Sequence, residues 1–505
     1  MKPKPVPVSV LYLVLLVSTT APAPGRAEKG SLRLSATEAV SRALRHNLDL
    51  KYGKLASDLS EAPERAAAAR YDLSLSSELE VSGSPGQVSL QRAGLSPVSS
   101  TSVGGDVGLR KELSTGTTLE LGFSSTGLFG GGSRGGLDPA YQTGLRLTAR
   151  QSLLNGISRE ANLLPITSAR LSREIATRDL ERTAELVGAA TLKAYWSLHA
   201  ALSKLAIEDI ALEMIRKTLK ETQELIRAGK LPASEEVSAA YAVQAQQRDR
   251  VQLEKAVADA RDKLARLMGM VDPSSMATPA LETYIGPRPK RWRVTREDLQ
   301  RLATKQRGDY LALVEQKTLC QAELKAANHG RLPKLDLVAG LDLTGLSGTD
   351  AANDYEKGYW SSYEMRDLGW SAGLVLDVPL QNSKAKAEAE LAALKLRRAA
   401  LALDRARQQL SEELNVAWRA VEVARRQLAL TKAAAKAAEV KLANEEARFK
   451  AGKITAHILS TVQSEVIQER LAKEQALADM ISARVDMYAA AGVLLQRIEQ
   501  LQRRR

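Results

Sequence analysis

The residues with the most distinctive spacing are two copies of one short motif. Residues 227–233 have the sequence RAGKLPA, and residues 450–456, 223 positions further along, have the sequence KAGKITA. Glycine allows the chain to leave a helix, lysine can form ion pairs, and the apolar residue that follows can pack against another protein. This chemistry serves recognition rather than catalysis. The repetition predicts a helical hairpin that has been built twice, with both tips alike.

Residues that usually carry catalysis or bind metals form no cluster in the sequence. Cys320 is the only cysteine, which excludes an intrachain disulfide and a cysteine-rich metal site. The glycine-rich segment 130–136 lacks the ending of a phosphate-binding loop. The four histidines are far apart and lack metal-ligand spacing: His46, His199, His329 and His457. We therefore expect no enzymatic activity, no cofactor and no bound metal.

The beginning of the chain has the pattern of an export signal over residues 1–27. Lys2 and Lys4 precede an apolar stretch that is about half of the roughly 20 residues of a membrane helix. We expect cleavage after Ala27, with Ala23 as the competing site. The net charge is +13, but basic residues alternate with acidic ones, so solvated helix faces explain the charge and no nucleic-acid partner is expected.

Hydrophobic periodicity divides the remaining chain into two repeats of one plan. The first repeat, 28–270, contains these elements: a helix over 34–69, strands within 71–152, a long helix over 157–228 and a short helix over 234–269. A proline-rich linker over 271–293 follows. The second repeat, 294–497, contains a helix, strands within 334–380, a long helix over 383–450 and a short helix over 455–497. Residues 498–505 form a basic tail.

Both long helices have a regular apolar seam in which steps of four and three residues alternate. The first seam runs from Leu180 to Leu219 and the second from Leu410 to Leu442. This is the coiled-coil period of 3.5 residues, and the many alanines allow the helices to approach closely. The strand segments alternate instead with period two, so that Leu75, Leu79 and Val81 share one face.

The order and spacing of these features resemble the TolC family of outer-membrane efflux proteins. The features that carry the resemblance are the signal, the duplicated unit, the paired tips and the strand-to-helix junctions at 153–156 and 379–382. Beyond the signal, the resemblance covers essentially all of 33–497. It implies a mainly α fold with membrane β structure. Duplicated coiled-coil hairpins would form a periplasmic α-barrel, and a homotrimer would share one transmembrane β-barrel. The family usually contributes four strands per chain, but the runs at 103–113 and 117–123 add a hairpin, so the strand count stays open.

The resemblance also implies function, location and partners. The protein would be the passive exit duct of a tripartite efflux pump or a type I secretion system in the outer membrane, with a long periplasmic portion. Its partners would be outer-membrane lipid, a periplasmic adaptor (membrane fusion) protein and, through it, an inner-membrane pump. The alternative is a periplasm-spanning coiled-coil scaffold or adhesive protein without a pore, which conductance measurements would distinguish.

The family resemblance assigns adaptor docking to the paired tips. The matching residues are Gly229, Lys230, Leu231, Gly452, Lys453 and Ile454. The simpler interpretation is that glycine only ends each helix. The family often narrows the periplasmic end with carboxylates just beyond the tip glycine. The second repeat has Ile458 and Thr461 at those positions, whereas the first offers Glu235 and Glu236 as gate residues. Acidic residues are also favoured there by the helix dipole.

Overall fold

The computed structural model describes residues 34–91, 94–130, 139–270, 295–348, 360–451 and 453–502. Within them, the chain forms one six-stranded sheet and a wall of long helices. The predicted signal and linker, most of the glycine-rich segment and Gly452 lie outside the described residues.

Three short helices replace the single helix that was predicted over 34–69. They are α1 (Ala36–His46), α2 (Leu48–Leu59) and α3 (Glu61–Ala68). Asn47 separates α1 from α2 because its backbone is extended, and its side chain accepts hydrogen bonds from the amides of Asp49 and Leu50. Pro63 lies in the first turn of α3, where a missing amide hydrogen costs little.

The sheet is antiparallel throughout and its strands lie in chain order. The strands are β1 (Ser74–Gln91), β2 (Gly94–Glu112), β3 (Thr117–Phe129), β4 (Ala140–Ser152), β5 (Lys334–Gly348) and β6 (Asp367–Asp377). The first repeat therefore supplies four strands and the second supplies two, which confirms the extra hairpin. Gly116, with φ +80°, makes the predicted turn between β2 and β3.

The first long helix begins later than predicted. A short helix, α4 (Arg159–Asn162), precedes α5 (Leu164–Arg227), because Gly156 has φ +100° and Pro165 lies at the start of α5. The next helix of the first repeat is α6 (Ser234–Leu267). Pro165 thus lies in the first turn, where proline is tolerated, instead of inside the helix.

The second repeat has two breaks that the sequence pattern did not indicate. Its helices are α7 (Arg296–Gln306), α8 (Gly308–Gly330), α9 (Ser383–Lys450), α10 (Ala456–Ala490) and α11 (Leu494–Gln502). The single helix predicted over 455–497 was wrong, because Gly492 turns the chain with φ +67°. The predicted basic tail is helical as far as Gln502.

The helices pack side by side in a fixed order. α9 packs against α8 and α10, these pack against α5, and α5 packs against α2, α3 and α6. The predicted seams are confirmed: Val187, Thr191, Ala194 and Leu198 of α5 are buried, as are Leu410, Leu414, Ala417 and Leu428 of α9. Helix α9 and the group of α2, α3 and α6 therefore form opposite edges of the wall.

A buried ion cluster holds the break between α7 and α8. The Arg307 side chain, only 8% exposed, donates to both carboxylate oxygens of Asp309 and to Glu413 on α9. It also donates to the carbonyl of Ala490 at the end of α10. At Gly308, a Cβ atom would lie 2.2 Å from the carbonyl oxygen of Arg178. Glycine is required here because the α8 backbone approaches α5 so closely.

Candidate functional site

One face of the sheet is apolar across all six strands. Directly paired residues of antiparallel strands share a face. Val107 of β2 faces Phe123 of β3, and Leu341 of β5 faces Trp370 of β6. Other residues of this face are Leu75, Leu79, Val81, Val103, Leu109, Leu121, Leu145, Leu147, Leu343, Leu368 and Leu374. Leu79 is 88% and Trp370 78% exposed, and a continuous apolar belt of this size suits hydrocarbon rather than water.

The opposite face of the sheet is polar and rich in glycine. Glu78 lies directly opposite Asp106, Arg110 forms an ion pair with Glu120, and Arg146 pairs with Asp342. Strands of 11 to 19 residues are long enough to cross a bilayer, which takes about 9–11 residues. An apolar face and a polar face on such strands are typical of a sheet that separates lipid from an aqueous lumen.

The sheet ends at two open edges. Within the described residues, β1 pairs only with β2, and β6 pairs only with β5. The backbone amides and carbonyls along the outer sides of β1 and β6 therefore lack strand partners in the chain. Lipid cannot hydrogen bond to these groups, so a sheet in a membrane must close on itself or on further copies.

The helical wall has an apolar stripe along each edge. On α9 the stripe lies opposite the buried seam and consists of Leu391, Leu394, Leu401, Val416, Val423, Leu430 and Val440, which are 52–67% exposed. On the other edge it consists of Leu48, Tyr52, Leu55 and Leu59 of α2 with Val237, Tyr241 and Val251 of α6, which are 57–78% exposed. Most neighbouring members of these stripes are three, four or seven residues apart, which is the spacing of coiled-coil contacts. Helix α9 is apolar on two opposite faces, and such a helix is stable in water only when both faces are covered.

The two tips end their helices in the same way. At the first tip, the amide of Lys230 donates to the carbonyl of Leu225 (2.9 Å) and the amide of Gly229 donates to Ile226 (2.9 Å). This is a Schellman motif, and Gly229 has φ +69° as the motif requires. At the second tip, the amide of Lys453 donates to Arg448 (3.0 Å), which is the same bond one repeat later. Lys230 and Lys453 therefore occupy equivalent positions, and both are exposed.

The structure brings the two tips together through an apolar cluster. The tip cluster contains Leu442, Phe449, Ile454, Ala456, Leu459, Val462 and Val466 of the second repeat, with Met214, Leu225 and Leu231 of the first packed against it. Phe449 is 1% and Ile454 9% exposed. Leu231 is half-buried. Of the six residues predicted to dock an adaptor, Lys230 and Lys453 project outward, whereas Ile454 points into the protein. Sequence reasoning missed Phe449, although an aromatic residue in an aromatic-poor chain was a usable signal.

The two candidate gate residues differ in their surroundings. Glu236 is exposed and accepts a hydrogen bond from Gln223 Nε2 of α5 at 2.9 Å. Glu235 is half-buried, and its buried Oε2 atom has no hydrogen-bond partner among the described residues. Both lie in the first turn of α6, where the helix dipole favours acidic side chains.

Two carboxylates in the helical wall, the buried Glu208 and the half-buried Glu185, were not singled out from the sequence. Glu208 is 1% exposed and accepts from Gln246 Nε2, which joins α5 to α6. Burial, together with the nearby Asp249 and Asp209, raises the pKa of Glu208 to about 7. Burial also raises the pKa of Glu185 to about 7, although the amide of Leu495 donates to it. The polar position in an otherwise apolar seam was the only sequence signal for Glu208.

No helix among the described residues is both long and apolar enough to cross a bilayer.

Residues 302–493 match the family model described as outer membrane efflux protein. No curated protein sequence matches the chain.

Most of the chain is similar in fold to solved outer-membrane channels and to a solved membrane protein. It superposes on the outer-membrane channel OprN with a TM-score of 0.65 and 16% identity, over 90% of this chain and 89% of that chain. For the Campylobacter jejuni CmeC outer membrane channel the TM-score is 0.64 at 14% identity, covering 92% and 88%. For a membrane protein from Pseudomonas aeruginosa it is 0.65 at 18% identity, covering 95% and 100%. At these identities the similarity establishes the fold.

Proposed function

We propose that this protein is a passive exit duct in the outer membrane. Residues 302–493 match the outer membrane efflux protein family, and most of the chain has the fold of solved outer-membrane channels. The observation that carries the proposal is the sheet. Its continuous apolar face fits lipid and its polar, glycine-rich face fits an aqueous lumen. A scaffold without a pore would need neither face. The activity is transport rather than catalysis.

We infer that the working form is a homotrimer. One chain leaves both sheet edges open and both helical edges apolar, and neither is stable beside lipid or water. The edges follow one another in the chain, because β6 leads into α9 and α3 leads into β1. A second copy of the same strip can therefore cover a sheet edge and a helical edge at once. The two edges differ, so the contact is heterologous and closes as a ring. Three copies is the number typical of the family.

We further propose that the tips bind a periplasmic adaptor, through which the duct reaches an inner-membrane pump of an efflux or type I secretion system. Support comes from Lys230 and Lys453, which occupy the same position in both repeats and are exposed. The Schellman turn explains Gly229 at the first tip, but it does not require a lysine. The partly buried Leu231 and the buried Ile454 would set the shape of the tip instead of contacting the adaptor directly.

We propose Glu235 as the gate residue in preference to Glu236. Glu236 already has a partner in Gln223, whereas Glu235 has a carboxylate oxygen without one in the described chain. Three copies would place three such carboxylates at the same depth near the periplasmic end. Glu235→Gln should then widen the range of ions that pass, whereas Glu236→Gln should leave conductance unchanged. Equal conductance in all three proteins would refute the assignment.

A double lysine variant tests docking separately from pore formation. Lys230→Ala with Lys453→Ala leaves both turns intact, because only backbone groups make the turn bonds. The variant should insert into membranes and conduct ions as the wild type does. Adaptor crosslinking and substrate export in cells should both fall.

The matched control is Lys220→Ala with Lys436→Ala, which removes two exposed lysines from α5 and α9 away from the tips. The control should crosslink and export as the wild type does. Normal crosslinking in the tip variant would refute docking by the lysines. A protein that gave no pore in planar bilayers, even with Glu235→Gln, would refute the duct.

A further inference from the structure

We propose that three copies form a barrel of eighteen strands, closed where β1 of one copy pairs with β6 of the next. This inference rests on the proposed homotrimer and adds the composition and the width of its pore. The strand order β1-β2-β3-β4-β5-β6 supplies six strands per copy. The number eighteen depends on the β1–β2 hairpin being part of the barrel.

The backbone pairing joins the hairpin to the rest of the sheet. β2 pairs with β3 in a continuous register from Thr101–Phe129 to Glu112–Thr118, with no bulge. At the base, Arg70 Nε lies 3.0 Å from Glu112 Oε2, and Lys111 donates to the carbonyl of Tyr71. The hairpin is thus held to β3 along residues 101–112 of β2 and at its root, as a barrel strand is, instead of being attached only by its ends.

The side chains of the hairpin extend the membrane belt. Leu79 and Val81 of β1 lie on the same face as Val103 and Val107 of β2, which continue into Phe123 of β3. Leu79 and Val81 are 88% and 73% exposed in the single chain. A hairpin outside the bilayer would present these side chains to water, whereas a hairpin inside it presents them to lipid.

Strand direction permits the seam. Neighbouring strands alternate in direction, so β1 and β6 of one chain run in opposite directions. β6 of one copy and β1 of the next are therefore antiparallel, and the pattern repeats around the ring without a mismatch. All residues of β6 are exposed in the single chain, and so are Ser74 to Gly83 of β1. Both edges are free to pair.

The strand count fixes the width of the pore. Strands about 4.8 Å apart and tilted by about 40° each occupy roughly 6.3 Å of the circumference. Eighteen strands then give a barrel about 36 Å across between Cα positions, and twelve strands give about 24 Å. If the β1–β2 hairpin lay outside the barrel, the remaining four strands per copy would give the narrower value.

Two deletions separate the alternatives. The first removes residues 74–112 and joins Leu73 to Leu113, which takes away β1 and β2 and leaves an even number of strands. The matched control replaces residues 84–100 by a two-residue Asn-Gly turn between Gly83 and Thr101, which are paired across the hairpin. The control shortens the same hairpin but keeps six strands.

The measurement is the barrel diameter of detergent-solubilised protein by electron cryomicroscopy, with the copy number from native mass. We expect trimers about 36 Å across for the wild type and the control, and trimers about 24 Å across for the deletion. A wild-type trimer about 24 Å across would overturn the eighteen-strand barrel while leaving the duct intact. A wild-type protein that is not trimeric would instead refute the proposed assembly.

Cysteine crosslinking covers the case in which the deletion does not assemble. In a Cys320→Ser background, Glu78→Cys or Glu80→Cys on β1 is combined with Ser371→Cys or Gly373→Cys on β6, all on the polar face. A disulfide needs Cα atoms about 4.4–6.8 Å apart, so only true strand neighbours link. We expect at least one combination to give a covalent trimer under oxidation.

The matched control for crosslinking replaces the β1 cysteine by Ser124→Cys on β3, also on the polar face. Because β2 and β4 cover both sides of β3, these combinations should not link copies. Crosslinks from β3 to β6 without any from β1 to β6 would overturn the proposal, since they would place the seam at β3 and leave the β1–β2 hairpin outside the barrel.

Discussion

Replacing Ile454 by alanine should loosen the tips without removing a docking contact. Ile454 is 9% exposed and packs in the tip cluster beside Phe449 and Leu231. Truncation of a buried isoleucine to alanine costs 2–5 kcal/mol, and the lower part of that range applies here because the cluster lies at the end of the wall. We therefore expect local opening to become easier by about 2–3 kcal/mol. This corresponds to an opening population larger by about 30- to 150-fold.

Limited trypsin digestion of the detergent-solubilised protein measures this opening. Arg448, Lys450 and Lys453 offer cleavage sites at the second tip. When cleavage is slow relative to closing, the nicking rate follows the population of the open form. The control is Ile458→Ala, four residues on, where the side chain is 46% exposed. Its nicking rate should stay close to that of the wild type, because exposed positions contribute at most about 0.5 kcal/mol.

The refuting result is specific. If Ile454→Ala is nicked no faster than the wild type while export in cells falls, the side chain contacts a partner and the tip cluster does not hold the tips. If export falls in proportion to the increase in nicking, packing explains the loss.

Three further predictions concern the seam, pH and the lumen. Ala435→Trp should overpack the α9 seam, where Ala435 is 5% exposed, and cost about 1–3 kcal/mol in thermal unfolding, whereas the exposed Ala437→Trp should change little. The raised pKa of Glu208 favours the protonated carboxyl in the folded state. The contribution of Glu208 to the free energy of unfolding is therefore complete below about pH 4.3 and is lost as the pH rises through about 7. Glu208→Gln should flatten this pH dependence in unfolding measured from pH 5 to 8. Glu78→Gln with Asp106→Asn should lower the cation preference measured from reversal potentials, and an unchanged preference would place these residues outside the lumen.

Much of this fold could be predicted because it depends on regular periodicity. The long helix α9 begins and ends at the predicted residues, and the seam of α5 is buried where the 3.5-residue period indicated. Alternation with period two located strands β1 to β6 and revealed the extra hairpin. Such patterns repeat over many residues, so a single irregular residue does not hide them.

The breaks and the site depend on contacts between distant segments and could not be predicted in the same way. Asn47 ends α1 partly because its side chain also donates to Leu267, 220 residues away. The break at Arg307 is held by Glu413 and the end of α10. Ile454 has the same sequence environment as Leu231, yet one is buried and the other half-buried, since only the fold decides which tip packs inside.

The distribution of uncovered surface also explains why a passive duct would be built from incomplete copies. Within the described chain, large exposed apolar areas lie on one sheet face and along both helical edges, and the opposite sheet face is mainly polar. Lipid suits the apolar sheet face, and neighbouring copies suit the apolar helical edges. Assembly would therefore cover both surfaces without any contact to cargo. The polar face carries ion pairs such as Arg110–Glu120 and much glycine, so it is mainly hydrophilic. A lumen of this kind binds cargo weakly, and weak binding is what lets molecules leave an exit duct.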